Sequence, residues 1–219
     1  MELAGKKVLF LGDSITEGVG TTPVDGKYPN RYTDIFQRLT GCEAYNYGVS
    51  GSRIAKQIKC EEPFDTQDFV KRADSMNDEA DVIVVFGGTN DFGHGDAPIG
   101  NFNGYDEYTF YGALHSLIIK LVSKYPDAYI MFMTPLHRIG ENDGKNDRGE
   151  PVQQLSEYVD IIIEVCRYYS IPVLDLYSIS GIQPEIPIIR KKYMPDGLHP
   201  SDVGANRIAQ ILKKHLENA

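Results

Sequence analysis

Four short apolar runs and one alternating stretch divide this chain, and each ends in a polar or glycine-rich break. Residues 8–11 (Val-Leu-Phe-Leu) form the first run, closed by Gly12. Four consecutive apolar residues without polar alternation suit a strand covered on both faces. Residues 43–49 alternate Ala44, Asn46 and Gly48 with Tyr45, Tyr47 and Val49 and read as the second strand. The third, residues 82–86 (Val-Ile-Val-Val-Phe), is the clearest buried strand and stops at Gly87-Gly88-Thr89-Asn90-Asp91. Residues 129–133 and 173–176 supply the fourth and fifth.

Helical stripes lie between these strands. Tyr32, Ile35, Phe36 and Leu39 share one side of a helix over 31–39 that Gly41 ends. Residues 53–58 are expected to open a second helix after Ser50-Gly51-Ser52, with another near 65–72. A helix over 108–123 carries Tyr111, Leu114 and Ile118, and one over 152–169 carries Leu155, Val159, Ile162 and Cys166 at helical spacing. The last, over 202–216, has Ser201 as its N-cap. Residues 19–30, 92–106 and 136–150 read as loops, and 178–193 as a proline-bearing connection. Strands alternating with helices along the whole chain predict an α/β fold whose parallel sheet is covered on both faces. No repeat, linker or low-complexity tract interrupts the pattern, so residues 1–219 are expected to form one domain.

Right-handed crossovers put the carboxyl ends of parallel strands on one edge of the sheet. Ser14, the Ser50-Gly51 turn and Asn90 follow strands one, two and three and should meet there. Asp196-Gly-Leu-His199 precedes the last helix, whose start faces the same rim. Taken singly, each has an ordinary reading as a turn or cap. The Gly-x-Ser-x-Gly nucleophile elbow is also missing, because Thr16 stands at its second glycine. Together they are the parts for acyl transfer. Ser14 supplies a hydroxyl, His199 a base whose free pKa of about 6.5 suits neutral pH, and Asp196 an acceptor that fixes the imidazole tautomer. The amides of Ser14 and Gly51 and the side-chain amide of Asn90 are candidate donors to an oxyanion.

Charge narrows the partners. Twenty-two Lys and Arg against 31 Asp and Glu leave a net charge of −9, which argues against nucleic acid and against stable association with anionic membranes. Three cysteines without a Cys-x-x-Cys spacing read as reduced thiols, and no segment has the length of a membrane span or the form of a signal peptide. A cytoplasmic location is expected.

The four polar blocks, Gly-Asp-Ser14-Ile-Thr-Glu-Gly, Asn-Tyr-Gly-Val-Ser-Gly51, Gly-Gly-Thr-Asn90-Asp and Asp196-Gly-Leu-His199-Pro, resemble in order and separation those of the SGNH, or GDSL-type, serine esterases and lipases. The resemblance implies a flavodoxin-like three-layer sandwich with a five-stranded parallel sheet. It also implies Ser14, His199 and Asp196 as catalytic residues, an oxyanion hole from Ser14, Gly51 and Asn90, and no metal or organic cofactor. A small-molecule ester is the expected substrate, with short O-acyl groups, carbohydrate acetyl esters among them, as the first reading. A lysophospholipase or acyl thioesterase using the same residues, and a non-catalytic flavodoxin-like binding module, are the alternatives.

Further residues stand near these blocks. Phe92, Phe102 and Tyr105 belong to an aromatic stretch that either pins the loop after Asn90 or forms a lid against substrate. His137, just past the fourth strand, is a candidate pocket residue. His94 beside Asp91 and Asp96 raises a metal site as the less favoured reading, since one loop rarely supplies a closed ligand set. Arg138 and Arg148 are expected to be solvated. The oligomeric state is not legible.

Overall fold

A computed structural model describes residues 1–24 and 28–219. The centre of the loop expected over 19–30 lies outside the described residues. In chain order the elements around the sheet are β1 (Lys7–Gly12), α1 (Ser14–Glu17), α2 (Tyr32–Thr40), β2 (Glu43–Gly48), α3 (Phe69–Arg72), β3 (Val82–Phe86) and α4 (Thr89–His94). They continue with α5 (Phe110–Lys124), β4 (Tyr129–Met133), α6 (Leu155–Tyr168), β5 (Val173–Leu174), α7 (Leu176–Ile179), α8 (Pro187–Tyr193) and α9 (Asp202–Glu217).

The five strands pair in the order β2-β1-β3-β4-β5, all parallel. Gly12 at the end of β1 lies between Gly48 of β2 and Phe86 of β3, so three strands finish at one level. The chain leaves β1 for β2 on one side and returns to β3 on the other. Open α/β sheets carry their ligand crevice at such a reversal, beyond the carboxyl ends.

The apolar runs divide by parity. Leu9, Leu11, Ile83, Val85, Ile130 and Phe132 pack with residues of α5 and α6, such as Leu114, Ile118 and Ile162. Val8, Phe10, Val82, Val84, Met131 and Met133 pack on the other face with Ile35 and Phe36 of α2 and Ile208 and Leu212 of α9. Alternate residues of a strand point to opposite faces, so an uninterrupted apolar run can serve two layers. Phe10 meets Tyr32 and Phe36 edge-on, with ring centroids 5.7 and 5.6 Å apart. Truncating Phe10 to alanine would cost about 3–5 kcal/mol, as emptying a packed aromatic site does.

The helix expected over 53–58 is not formed. Asp91 accepts hydrogen bonds from the amides of Ile54 and Ala55 at 3.0 and 2.9 Å, and Asp96 from those of Ile58 and Lys59 at 2.8 and 2.7 Å. Two carboxylates from the neighbouring segment thus hold this stretch open. The helix expected near 65–72 is split into a 3₁₀ turn, Pro63–Thr66, and α3. The connection over 178–193 contains α8, entered through Pro187 in its first turn, where a missing N–H costs nothing. Among the described residues no helix is long and apolar enough to cross a membrane.

Candidate active site

Asp13 caps α1 by accepting from the amide of Ile15 at 3.0 Å, and this turns the chain sharply out of β1. Ser14 is therefore the first helical residue, largely buried, with an amide that has no partner within the helix. A Cβ at Gly12 would stand 2.0 Å from Thr16 Oγ1, so only glycine lets the turn close over the strand end. Thr16, the departure from the nucleophile-elbow pattern, hydrogen-bonds Tyr32 Oη at 3.0 Å.

The segment before α9 brings its imidazole to the same turn. Ser14 Oγ lies 2.9 Å from His199 Nε2, and His199 Nδ1 lies 2.7 Å from Asp196 Oδ2. The carboxylate only accepts, so Nδ1 carries the proton and Nε2 presents its lone pair to the serine hydroxyl. Asp196 Oδ1 accepts from the amides of Leu198 and His199 at 2.9 and 2.7 Å. Burial alone would raise its pKa, but these amides and the imidazole outweigh burial and hold the carboxyl below its ordinary range. The turn is braced from the loop after β4, where the Ile139 amide donates to Gly197 O at 2.9 Å.

Gly51 follows β2 at φ +74°, a conformation that favours glycine, with Phe64 packed against its open side. Glu17 of α1 accepts from the Ser50 amide at 2.6 Å and from the Ser50 hydroxyl, tying this turn to the helix that begins at Ser14. Asn90, in the first turn of α4, donates from Nδ2 to Ser52 O at 3.0 Å and has His94 Nε2 3.0 Å from its Oδ1. Among the described residues, the amides of Ser14 and Gly51 and the second Nδ2 hydrogen of Asn90 have no intramolecular acceptor. Preset donors beside a hydroxyl and its base can stabilise charge that develops on a carbonyl oxygen.

The burial of charged groups under the rim escaped the sequence reading. Arg72 reaches from α3 to Gly12 O (2.7 Å), Tyr47 O (2.9 Å) and Ser52 Oγ (2.8 Å), joining the ends of β1 and β2 to the following turn. Its burial lowers its pKa to about 10, against the pull of Asp13 and Asp68. Asp13 is pushed up to about 7 by burial, which the Ile15 amide and Arg72 only partly offset. Asp91 is pushed up to about 6, again by burial, with the amides of Ala55 and Ile54 opposing. The available signal was an arginine and two aspartates flanking otherwise apolar segments.

The remaining candidates divide. Phe92 is fully buried in the core, edge-on to Tyr158 at 6.2 Å and beneath the Arg138 guanidinium, so it lines no open site. Phe102 and Tyr105 pack on His115 of α5 at 5.4 and 4.8 Å, and Phe102 also meets Tyr168 of α6 at 5.3 Å. His115 holds the Phe102 carbonyl at 2.8 Å, so the aromatic loop is fastened to these two helices. His137 stacks on Tyr177 at 3.7 Å and bonds Glu141 through Nδ1 at 2.7 Å, two residues from the Ile139 brace. Arg138 is buried instead of solvated: it forks onto Asp147 at 2.6 and 2.8 Å and reaches Thr89 O at 3.2 Å. Both ring nitrogens of His94 are engaged, by Asn90 and by Arg53 at 2.5 Å.

The fold is a doubly wound α/β sandwich, and at the carboxyl rim of its sheet Ser14, His199 and Asp196 stand in continuous contact. The chain belongs to the GDSL-like lipase/acylhydrolase family, whose profile matches residues 10–207. Among solved structures it is similar to a Lactobacillus plantarum protein, with 31% identity, a TM-score of 0.82, and coverage of 99% of this chain and 98% of that one. The lipase/acylhydrolase from Enterococcus faecalis shares the fold at 21% identity and a TM-score of 0.67, covering 97% of this chain and 96% of that one. An acetyl xylan esterase does so at 20% identity and a TM-score of 0.66, covering 96% of this chain and 99% of that one. No curated protein sequence matches the chain.

Proposed function

We propose that this member of the family is a carboxylic ester hydrolase that removes short O-acyl groups, carbohydrate acetyl esters among them, through an acyl-enzyme on Ser14. The observation that carries the reading is the continuous contact from Ser14 Oγ through His199 (2.9 Å) to Asp196 (2.7 Å). Ser14 Oγ attacks the ester carbonyl carbon while its proton passes to His199 Nε2. The resulting oxyanion takes the unspent N–H groups of Ser14, Gly51 and Asn90. As the C–O bond to the alcohol breaks, Nε2–H returns its proton to the departing oxygen. Water then repeats the sequence at the acyl-enzyme, giving the acid and free Ser14.

A small acyl group and a polar alcohol are supported by the net charge of −9 and by the structural neighbour named for acetyl xylan. His137 is kept as a candidate substrate-side residue, since its loop braces the turn that carries His199. Free thiols at Cys42, Cys60 and Cys166 suit a reducing cytoplasm. A fluorophosphonate should label the folded protein and fail to label Ser14→Ala. On p-nitrophenyl esters kcat/KM should fall steeply from acetyl to octanoyl. Labelling that survives Ser14→Ala would sink the enzyme reading. A preference for octanoyl would move the substrate to lysophospholipids or acyl thioesters.

A further inference from the structure

Asn90 and His94 sit four residues apart on α4, so their side chains share one face of the helix. Behind them lies a row of buried polar groups. Arg53 is 1% exposed; its Nη2 donates to His94 Nδ1 at 2.5 Å and to His94 O at 2.9 Å, and its Nη1 pairs with Asp65. Asp65 in turn accepts from the amides of Glu61 and Glu62 at 2.8 Å each. Phe64 closes the row, with the Arg53 guanidinium 5.1 Å above its ring and the His94 imidazole edge-on at 5.6 Å.

The direction of each hydrogen bond in this row is forced. A guanidinium has donors and no acceptor, so Nδ1 of His94 must offer its lone pair. The neutral ring then carries its proton on Nε2, which donates to Asn90 Oδ1 across 3.0 Å. With Oδ1 fixed as acceptor, Nδ2 faces the other way; one of its hydrogens goes to Ser52 O, and the other remains for the substrate. Burial, and after it the nearby Arg53 charge, push the His94 pKa down to about 4, so the ring stays neutral in ordinary buffers.

We infer that Asp65, Arg53 and His94 form a relay of positioning residues that locks the Asn90 carboxamide with its N–H toward the oxyanion, an inference that rests on the oxyanion role proposed for Asn90. The relay touches no reacting atom. A carboxamide has two faces of nearly equal size and opposite polarity, and an unlocked one would present its oxygen to the oxyanion part of the time. Locking it sets the donor before substrate arrives, which is where stabilisation of this kind originates. This also gives His94 and Arg53 a reason to occupy a nearly dry pocket, at the cost of leaving Arg53 Nε unpartnered among the described residues.

The test is a double-mutant cycle on hydrolysis of p-nitrophenyl acetate. His94→Ala should lower kcat about tenfold to a hundredfold with KM little changed, the size of effect that slight misplacement of a catalytic group produces. In an Asn90→Ala background the same substitution should cost less than about twofold, because nothing remains to be positioned. Two further variants separate positioning from packing. His94→Gln places an Nε2 donor where the imidazole has one and should recover most of kcat. His94→Asn keeps an acceptor facing Arg53 but cannot reach Asn90, and should not. Losses that multiply across the cycle, or equal activities for His94→Gln and His94→Asn in proteins of equal melting temperature, would overturn the relay while leaving the esterase reading intact. An Asn90→Ala protein with unchanged kcat, or an active Ser14→Ala protein, would instead remove the reading on which the relay depends, and the relay with it.

Discussion

Replacing Asp196 by asparagine should damage the enzyme more than replacing it by alanine, a reversal of the usual ranking of conservative changes. Oδ1 of Asp196 accepts two backbone amides, from Leu198 at 2.9 Å and His199 at 2.7 Å. An asparagine there must keep its oxygen at that position, since turning the amide would aim an NH₂ group at two N–H donors. Its Nδ2 then faces His199 Nδ1, where Oδ2 now stands 2.7 Å away. Nδ1 becomes the acceptor, the ring proton moves to Nε2, and the atom facing Ser14 Oγ can no longer take the hydroxyl proton. A histidine locked in the wrong tautomer costs about 10⁴ in kcat in the corresponding array of serine proteases, or about 5 kcal/mol. Alanine removes the carboxylate without imposing a tautomer. The Asp196 side chain is 54% exposed, so water can enter its place and accept from Nδ1–H. Alanine should therefore retain about tenfold to a hundredfold more kcat than asparagine, a difference of about 1.4–2.7 kcal/mol. The assay is kcat on p-nitrophenyl acetate at neutral pH for the two variants, with melting temperatures matched. Asparagine equal to or better than alanine would refute the tautomer argument.

Other perturbations test separate parts of the site. Asn90→Ala should lower kcat by about 10²–10³ with the fold preserved, as loss of one oxyanion donor does; an unchanged kcat removes Asn90 from the mechanism. Asp13, held at about 7 against an ordinary 3.8, disfavours the folded state once ionised: the unfolded chain loses its proton first, so its contribution to stability falls as pH rises from about 4 to 7 and is constant above. Asp13→Asn keeps an acceptor for the Ile15 amide, so its unfolding free energy relative to the parent, read from denaturant titrations, should climb over that window by at most about 4 kcal/mol, and a difference that is flat with pH would contradict the burial argument. Gly51→Ala forces a Cβ onto a left-handed backbone and to within 2.8 Å of the Phe64 ring, so stability should drop by about 1–2 kcal/mol and kcat should fall as the amide shifts. Retention of both would argue against a preset Gly51 donor.

The strands and the rim were legible because each is a local pattern with a fixed consequence. Residues 82–86 are apolar throughout since β3 lies mid-sheet with a layer on each face, and Ser14, Gly51 and Asn90 had to share an edge once the crossovers were right-handed. What stayed hidden depends on partners distant in the chain. Residues 53–58 carry a plausible helical stripe, yet Asp91 and Asp96 claim their amides from nearly forty residues away. Arg138 looked like a loop charge, and only the approach of Asp147 and the Thr89 carbonyl lets it go inside. The aromatic residues after Asn90 offered two readings, a lid or an anchor, and Phe102 and Tyr105 rest on His115 of α5, a contact that the sequence does not specify. His94 stood beside Asp91 and Asp96 with no role that the sequence could assign; its ring nitrogens are spent on Arg53 and Asn90.

A pattern in the hydrogen bonds unites these residues. Buried polar groups are almost always paired, because leaving one unpaired costs about 1–3 kcal/mol. Under the rim Arg72 is spent on two carbonyls and a hydroxyl, and Asp91 on two amides. Donors left over among the described residues at this place include the amides of Ser14 and Gly51 and one hydrogen of Asn90. They come from three strand ends that the sheet order places side by side, next to the one serine hydroxyl that contacts His199. Turns that merely reversed the chain would have no reason to hold their donors unspent together; water can serve each in the resting protein, and a tetrahedral oxyanion can engage them at once. The buried arginine and aspartates are thus what keeps these groups in place without consuming them, which is why the residues that looked least like chemistry in the sequence are the ones most deeply committed behind the site.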